Sequence, residues 1–226
     1  MYIDDTYILL IIPTAILAII AQIMVSSSFS KFSKVASRRA ISGKDAARII
    51  LSASGISDVT IEETPGSLTD HYNPATKTLA LSSTVYGKNS LAAIGVAAHE
   101  AGHAIQHARG YGPLALRSYL VPAANIGSRI GPYLAIAGLF AGLPMLIDAG
   151  IVLFSVAVAF YVITLPVEFN ASSRAVQALR SNAILTEDEL GGVKRVLSAA
   201  AMTYVASALT ALASLARLLI LRNRRR

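Results

Sequence analysis

Long stretches without a charged residue constrain the fold of this 226-residue chain most strongly. The first, YILLIIPTAILAIIAQIMV at 7–25, is long enough as a helix to cross the hydrocarbon core of a bilayer. Two more, at 130–147 and 151–167, are separated only by residues 148–150 and predict a transmembrane hairpin with its turn at those residues. Apolar residues make up 54% of the chain, which is typical of a membrane protein.

Charged residues at the ends of these stretches predict the orientation of the chain. Four basic residues follow the first stretch: Lys31, Lys34, Arg38 and Arg39. The positive-inside rule therefore places the N-terminus outside and the chain from residue 30 onward in the cytoplasm. Asp4 and Asp5 stand where a cleaved signal peptide would carry positive charge, which favours a retained transmembrane helix. The basic residues between 168 and 198 place that region in the cytoplasm by the same rule.

The last apolar segment, residues 199–216, leaves the number of membrane spans open at three or four. Its repeated small residues suit close helix packing in a membrane. If it spans, the basic tail RNRRR at 222–226 lies outside, against the positive-inside tendency. An interfacial or partly inserted helix is the alternative.

Residues 31–117 carry the signals of a soluble α+β insert. Ser42 and Asp45 resemble a capping box at the start of ISGKDAARIILSAS, a helix that Gly55 would end. Two β-like runs, DVTIEE and KTLALSS, lie on either side of the turn-rich stretch SLTDHYNPAT and predict a small sheet. Asn89 or Ser90 can then cap a long helix that glycines end after about residue 108.

This long helix carries the pattern HExxH at His99, Glu100 and His103. Residues four apart share one face of a helix, so both imidazoles can bind one metal ion while the glutamate stands beside it. The chain has no cysteine, so a metal site must use histidine and carboxylate, and zinc suits such a site. Glu100 would then deprotonate a zinc-bound water and pass the proton to the leaving amine.

A catalytic zinc normally has three protein ligands, and the third has three candidates: His107, His71 and a downstream carboxylate. Histidines at i, i+4 and i+8 of one straight helix span about 12 Å, too far for one ion, so a hydrogen-bonding role is favoured for His107. Glu168, in LPVEFNASSRA, is the better candidate because it follows the third apolar run on the cytoplasmic side, where Pro166 precedes a new helical stretch. Ser172 could hydrogen-bond a ligand histidine.

The string DHYNP, KTLALS, AAHEAGHAIQHA, LVP and LPVEFNAS resembles the neutral zinc metallopeptidases of the YugP type over residues 30–205. These are bacterial membrane proteins, and the pattern is also similar to gluzincins and to HtpX-type membrane proteases. Together with the apolar stretches, these motifs predict a mainly α membrane protein with three or four transmembrane helices. A cytoplasmic zincin-like insert, made of the small sheet and the HExxH helix, would hold the catalytic site at the inner membrane.

The same resemblance implies a role for individual residues. His99, His103 and Glu168 would bind zinc and Glu100 would act as the general base. HtpX-type proteases commonly carry Asp four positions after the ligand glutamate, where this chain has Ser172, so that supporting contact differs. Asn170 is a further candidate for supporting the ligands.

Residues 70–72 are a weaker candidate for catalysis. By analogy with HtpX-type proteins, an extended peptide would pair with the strand before the active helix, and His71 or Tyr72 could stabilise the oxyanion there. Organisation of a turn by Asp70 and Asn73, with His71 incidental, explains the same residues equally well. Arg174 is a lesser candidate for the oxyanion and fits a membrane-interface anchor better.

The sequence predicts five regions: an N-terminal transmembrane helix (1–30), the catalytic insert (31–117), a transmembrane hairpin (118–167), cytoplasmic helices with the third ligand (168–198), and a C-terminal apolar helix with a basic tail (199–226).

The favoured function is a zinc metalloprotease that cuts polypeptides, among them membrane proteins, at the cytoplasmic membrane face. A scaffold with a structural zinc site and a hydrolase of a small amide or lipid-linked molecule are the alternatives. The net charge is +7, but the basic residues form no face interleaved with aromatic residues, so no nucleic-acid partner is expected. Nothing in the sequence indicates an oligomeric state.

Overall fold

The computed structural model describes residues 5–224, so Asp4 and the last two arginines of the basic tail lie outside the described residues. Helices dominate these residues: a π-helical turn Tyr7–Ile11, then α1 Ile12–Phe32, α2 Gly43–Ala53, α3 Leu91–Ala108, α4 Gly112–Ala141, α5 Pro144–Ser181 and α6 Glu187–Asn223. The strands are β1 Thr60–Thr64, β2 His71–Asn73 and β3 Thr78–Ser82. The mainly helical fold with a small sheet is as predicted.

Three helices within residues 5–224 are long and apolar enough to cross a membrane: Tyr7–Phe32, Pro144–Ser181 and Glu187–Asn223. The last apolar segment therefore belongs to one continuous helix, α6, which meets the length and composition of a span. Helix α4 is not among the three.

The turn of the predicted hairpin was placed wrongly at residues 148–150, which lie inside α5. The chain reverses at Gly142 and Leu143 instead. Gly142 has φ +68°, a left-handed conformation that glycine adopts readily, and the Leu143 amide donates to the Gly138 carbonyl as in a Schellman ending. Pro144 then opens α5 at the position where a helix tolerates proline.

The expected break at Pro166, ahead of a new helical stretch, was also wrong: α5 continues through it to Ser181. Proline removes one backbone donor, and the rest of a long helix can carry that loss. Glu168 therefore lies within a continuous helix.

The chain divides into two compact units. The helical unit comprises the described residues of Met1–Gln22, Ala115–Pro166 and Met202–Arg226. The sheet-containing unit comprises Ile23–Leu114 and Val167–Ala201.

In the helical unit, α4 and α5 pack closely through glycines. A Cβ added at Gly131 would lie 2.9 Å from the Gly150 carbonyl oxygen, so the backbones meet where neither residue has a side chain. Two contacts tie the end of α6 to other segments of this unit: the Arg222 guanidinium donates to the Asp148 carboxylate at 2.8 Å, and that of Arg217 lies 5.3 Å from the centre of the Tyr7 ring. The basic end of α6 thus has partners on α5 and before α1.

The sheet has the order β1-β3-β2, with β1 parallel and β2 antiparallel to β3. Strand β2 lies in the stretch predicted as turn-rich, and it forms because a tight turn brings it back onto β3. The Asn73 side chain accepts a hydrogen bond from the Ala75 amide in that turn. The Asp70 carboxylate accepts from both the Ser82 amide and hydroxyl, at 2.7 and 3.0 Å, and so joins the start of β2 to the end of β3.

Helix α3 forms the centre of the sheet-containing unit. Ser90 caps its start by accepting from the Ala93 amide, and Gly110, with φ +61°, follows its end. Its alanines are almost all buried, packed with side chains from α2, β3 and α6. Small residues let the neighbouring helices approach closely, which leaves the few polar side chains of α3 in a confined space.

Candidate metal centre

Three ligand-type side chains meet in the sheet-containing unit: His99, His103 and Glu168. One ligand atom of each lies within 4.8 Å of the ligand atoms of the other two. The histidines are one turn apart on α3, so helical spacing brings them together. The glutamate belongs to α5, and packing of α5 against α3 brings it to the histidines.

The atoms of this group face one another. His99 Nε2 lies 3.2 Å from Glu168 Oε2, and His103 Nε2 lies 3.7 Å from Glu168 Oε1. Zinc binds such nitrogen and oxygen atoms at about 2 Å, which separates the ligand atoms of one tetrahedral site by about 3–4 Å. The two distances to Glu168 fall in this range, whereas the 4.8 Å limit of the whole group exceeds it, so zinc would fit after a small inward movement of the ligand atoms.

Burial strengthens the case for a cation at this place. The Glu168 side chain is only 2% exposed and that of His103 only 9%. Burial by itself lowers the pKa of His103, but the hydrogen bond to Glu168 and the negative charges of Glu100 and Glu168 outweigh it, so the pKa is raised above its usual value. A buried carboxylate is costly unless hydrogen bonds or positive charge compensate it, and a metal ion would supply that charge while the imidazoles stay neutral.

The Nδ1 atom of each imidazole, on the side of the ring away from Glu168, also has a hydrogen-bonding partner. Ser172 Oγ lies 3.1 Å from His99 Nδ1, which is the contact expected of Ser172 from the sequence. Gln106 Oε1 lies 3.0 Å from His103 Nδ1. With Nδ1 engaged in each ring, Nε2 is the nitrogen left for the metal.

Gln106 was missed by the sequence analysis, although its spacing offered a signal. It stands three residues after His103, on the same face of α3. Its amide nitrogen donates to Asn170 Oδ1 at 3.0 Å, and Arg174 Nε donates to the same oxygen at 2.7 Å. Asn170 is therefore linked to His103 through Gln106.

The other two histidines stand outside the group that could hold a metal. His107 Nδ1 lies 2.8 Å from the Tyr72 hydroxyl, in keeping with the hydrogen-bonding role favoured from helix geometry. His71 is exposed, and its Nδ1 contacts the Thr69 carbonyl oxygen at 2.9 Å. Asp70 and Asn73 organise the strand ends and the turn. The expectation that the strand before α3 is an edge open to an extended peptide was wrong, because that strand, β3, lies between β1 and β2. An oxyanion role for His71 or Tyr72 stays a prediction.

Glu100, the predicted base, lies between the two histidines in sequence and is 8% exposed. Its charge acts on His103. Glu100 is thus a further buried acid on the helix that carries the two histidines.

Comparison with known proteins also indicates a metal site. Residues 7–223 match the family model described as "Putative neutral zinc metallopeptidase". The chain is 48% identical over 201 residues to a protein of Bacillus subtilis (strain 168) named "Putative membrane protease YugP", and the match covers 89% of each chain. No solved structure matches the chain significantly.

Proposed function

The chain belongs to the "Putative neutral zinc metallopeptidase" family, and we propose that it is a membrane-embedded zinc endopeptidase that cuts polypeptides at the cytoplasmic face of a bacterial inner membrane. The observation that carries this proposal is the meeting of His99, His103 and Glu168, with the buried Glu100 next to His99 in sequence. Similarity to a membrane protease and three helices of spanning length support the membrane setting.

In the proposed site His99 and His103 would hold zinc through Nε2, and Glu168 would hold it through its carboxylate. When bound, zinc lowers the pKa of a coordinated water and polarises the carbonyl of the scissile peptide. Glu100 would act as the base, accepting a proton from this water while the water oxygen attacks the carbonyl carbon. Glu100 would then give this proton to the amide nitrogen as the C–N bond breaks, which yields a carboxylic acid and an amine; transfer of the remaining water proton between them leaves a carboxylate and an ammonium group.

The number of ligands favours catalysis over a structural zinc site. A structural site is closed by four protein ligands, whereas the described residues bring three His, Cys, Asp or Glu side chains together here. Three ligands would leave a position for water on a bound zinc. A base beside two ligands is also unnecessary in a purely structural site.

The test compares wild-type protein with Glu100→Gln, both loaded with zinc, on an unstructured polypeptide. We expect equal zinc content and a rate of cleavage lowered by about 10²–10⁴-fold, since the base is lost and the ligands remain. Glu62→Gln, which changes an exposed acid on β1, is the matched control and should cleave like wild type. Equal cleavage by Glu100→Gln would exclude the mechanism.

The cytoplasmic position has its own test, made simple because the chain has no cysteine. Ser57 is exposed in the sheet-containing unit, so Ser57→Cys introduces one reactive thiol there. A membrane-impermeant maleimide should label it in inverted membrane vesicles and not in intact spheroplasts. Labelling of intact spheroplasts would place this unit outside.

A further inference from the structure

The side chain of Gln106 is fully buried and makes three polar contacts. Its Oε1 faces His103 Nδ1 at 3.0 Å, while its Nε2 donates to the Val167 carbonyl oxygen at 2.8 Å and to Asn170 Oδ1 at 3.0 Å. One amide thereby joins a possible metal ligand on α3 to two positions on α5.

These contacts fix which way the amide points. The Val167 carbonyl can only accept hydrogen bonds, and Asn170 presents Oδ1 because the same oxygen accepts from Arg174 Nε, which can only donate. A flipped Gln106 would turn its oxygen toward two acceptors. Its oxygen must therefore face His103, and the ring nitrogen opposite must carry a proton.

We propose that Gln106 is a positioning residue that holds His103 in the tautomer with the proton on Nδ1, so that the lone pair of Nε2 faces Glu168 and the metal. This inference rests on the metal centre of the proposed function. Gln106 neither binds the metal nor touches substrate. It acts through His103 alone.

The two histidines of the site are held in different ways. The partner of His99 is the hydroxyl of Ser172, which can donate or accept and so suits either tautomer. The partner of His103 is an amide whose orientation is set by Asn170 and Val167. His103 is therefore the ligand that is preorganised before the metal arrives, and its preorganisation adds to the affinity for zinc.

The test uses the full-length protein in detergent and measures zinc affinity by competition with a chelating dye. Gln106→Met preserves the length of the side chain and removes both its donor and its acceptor. We expect the Kd for zinc to rise about 10–100-fold, as for other contacts that orient a ligand. Gln177→Met, which removes an exposed glutamine from α5, is the control and should leave the Kd unchanged.

A second readout separates positioning from a merely structural role. The chain has four histidines, so ¹⁵N spectra of the imidazoles can be assigned by substitution. In zinc-free wild-type protein, at a pH where the rings are neutral, His103 should show the proton on Nδ1 only. In Gln106→Met it should show a mixture of tautomers, with the His99 signals unchanged.

Asn170→Ala provides an independent variant if Gln106→Met does not fold. It removes one of the two acceptors that orient the amide, so it should weaken zinc binding less than Gln106→Met is expected to. Wild-type zinc affinity together with an unchanged His103 tautomer, in whichever variant folds, would overturn the inference. Wild-type protein that binds zinc but cleaves no peptide would instead overturn the proposed function and leave the role of Gln106 standing.

Discussion

Gly102 of α3 lies against Ala171 of α5 with no room for a side chain. A Cβ added at Gly102 would stand 2.5 Å from the Ala171 carbonyl oxygen, closer than such atoms can approach. Glu168 lies one turn before Ala171, and His99 and His103 lie on either side of Gly102 in sequence. The glycine therefore sets the distance at which the carboxylate meets the imidazoles.

Gly102→Ala should push α5 away from α3. We expect a loss of about 1–3 kcal/mol in the free energy of unfolding, the usual cost of overpacking, together with weaker zinc binding. Denaturant titration and dye competition measure the two effects. Gly112→Ala is the matched control, because nothing lies within 4 Å of a Cβ added there. Equal losses from both substitutions would contradict the assigned role of the close approach.

His99→Ala and His107→Ala make the same change on the same helix, and only the first removes a proposed ligand. Zinc content measured by atomic absorption should fall from one ion per chain to nearly none in His99→Ala, because two ligands do not hold zinc as three do. His107→Ala removes the contact with Tyr72 and should retain its zinc. Loss of zinc from His107→Ala would return that histidine to the ligand set.

Ser172→Ala removes the hydroxyl that faces His99 Nδ1. The imidazole would keep its bond to zinc but lose the contact that orients it, so the Kd for zinc should rise by about 10-fold. The neighbouring Ser173 is exposed, and Ser173→Ala is the control. If both serine variants bind zinc like wild type, the His99 contact contributes nothing to affinity.

Removal of zinc should lower the thermal stability of the protein. The unfolded chain has no preformed site, so zinc binds the folded protein only. Free zinc at 100 times its Kd should therefore stabilise the folded protein by about 2.7 kcal/mol. Differential scanning fluorimetry with zinc and with chelator measures the shift. Glu168→Ala should lose the zinc-dependent shift, and Glu63→Ala, an exposed acid on β1, should retain it. A shift of equal size in Glu168→Ala would place the zinc elsewhere.

Local sequence signals were sufficient for the helix that carries the site. Ser90 at its start and Gly110 after its end are direct capping signals, and HExxH lies between them at helical spacing. Glu168 was reached by chain position and family resemblance rather than by local pattern. Its approach to α3 depends on Gly102 and Ala171, which are 69 residues apart and carry no joint signal in one sequence.

Other features were beyond a local reading. The role of Gln106 depends on a carbonyl and a side-chain amide of α5. Its spacing from His103 was visible in the sequence, but these two contacts across α3 and α5 were not. Strand β2 exists because it pairs with β3, whereas its own residues favour turns. The reversal at Gly142 and Pro144 did have local signals, but the uncharged run continues across it and hydropathy alone showed no break.

The contacts of Arg217 with Tyr7 and of Arg222 with Asp148 bear on how α6 could enter a bilayer. Moving an arginine side chain across a membrane costs free energy when no partner accompanies it. Here each arginine meets a partner from another segment of the helical unit. Insertion of α6 would then be cooperative with the turn before α1 and the start of α5, so that this basic end would cross as part of an assembled bundle rather than as a single helix.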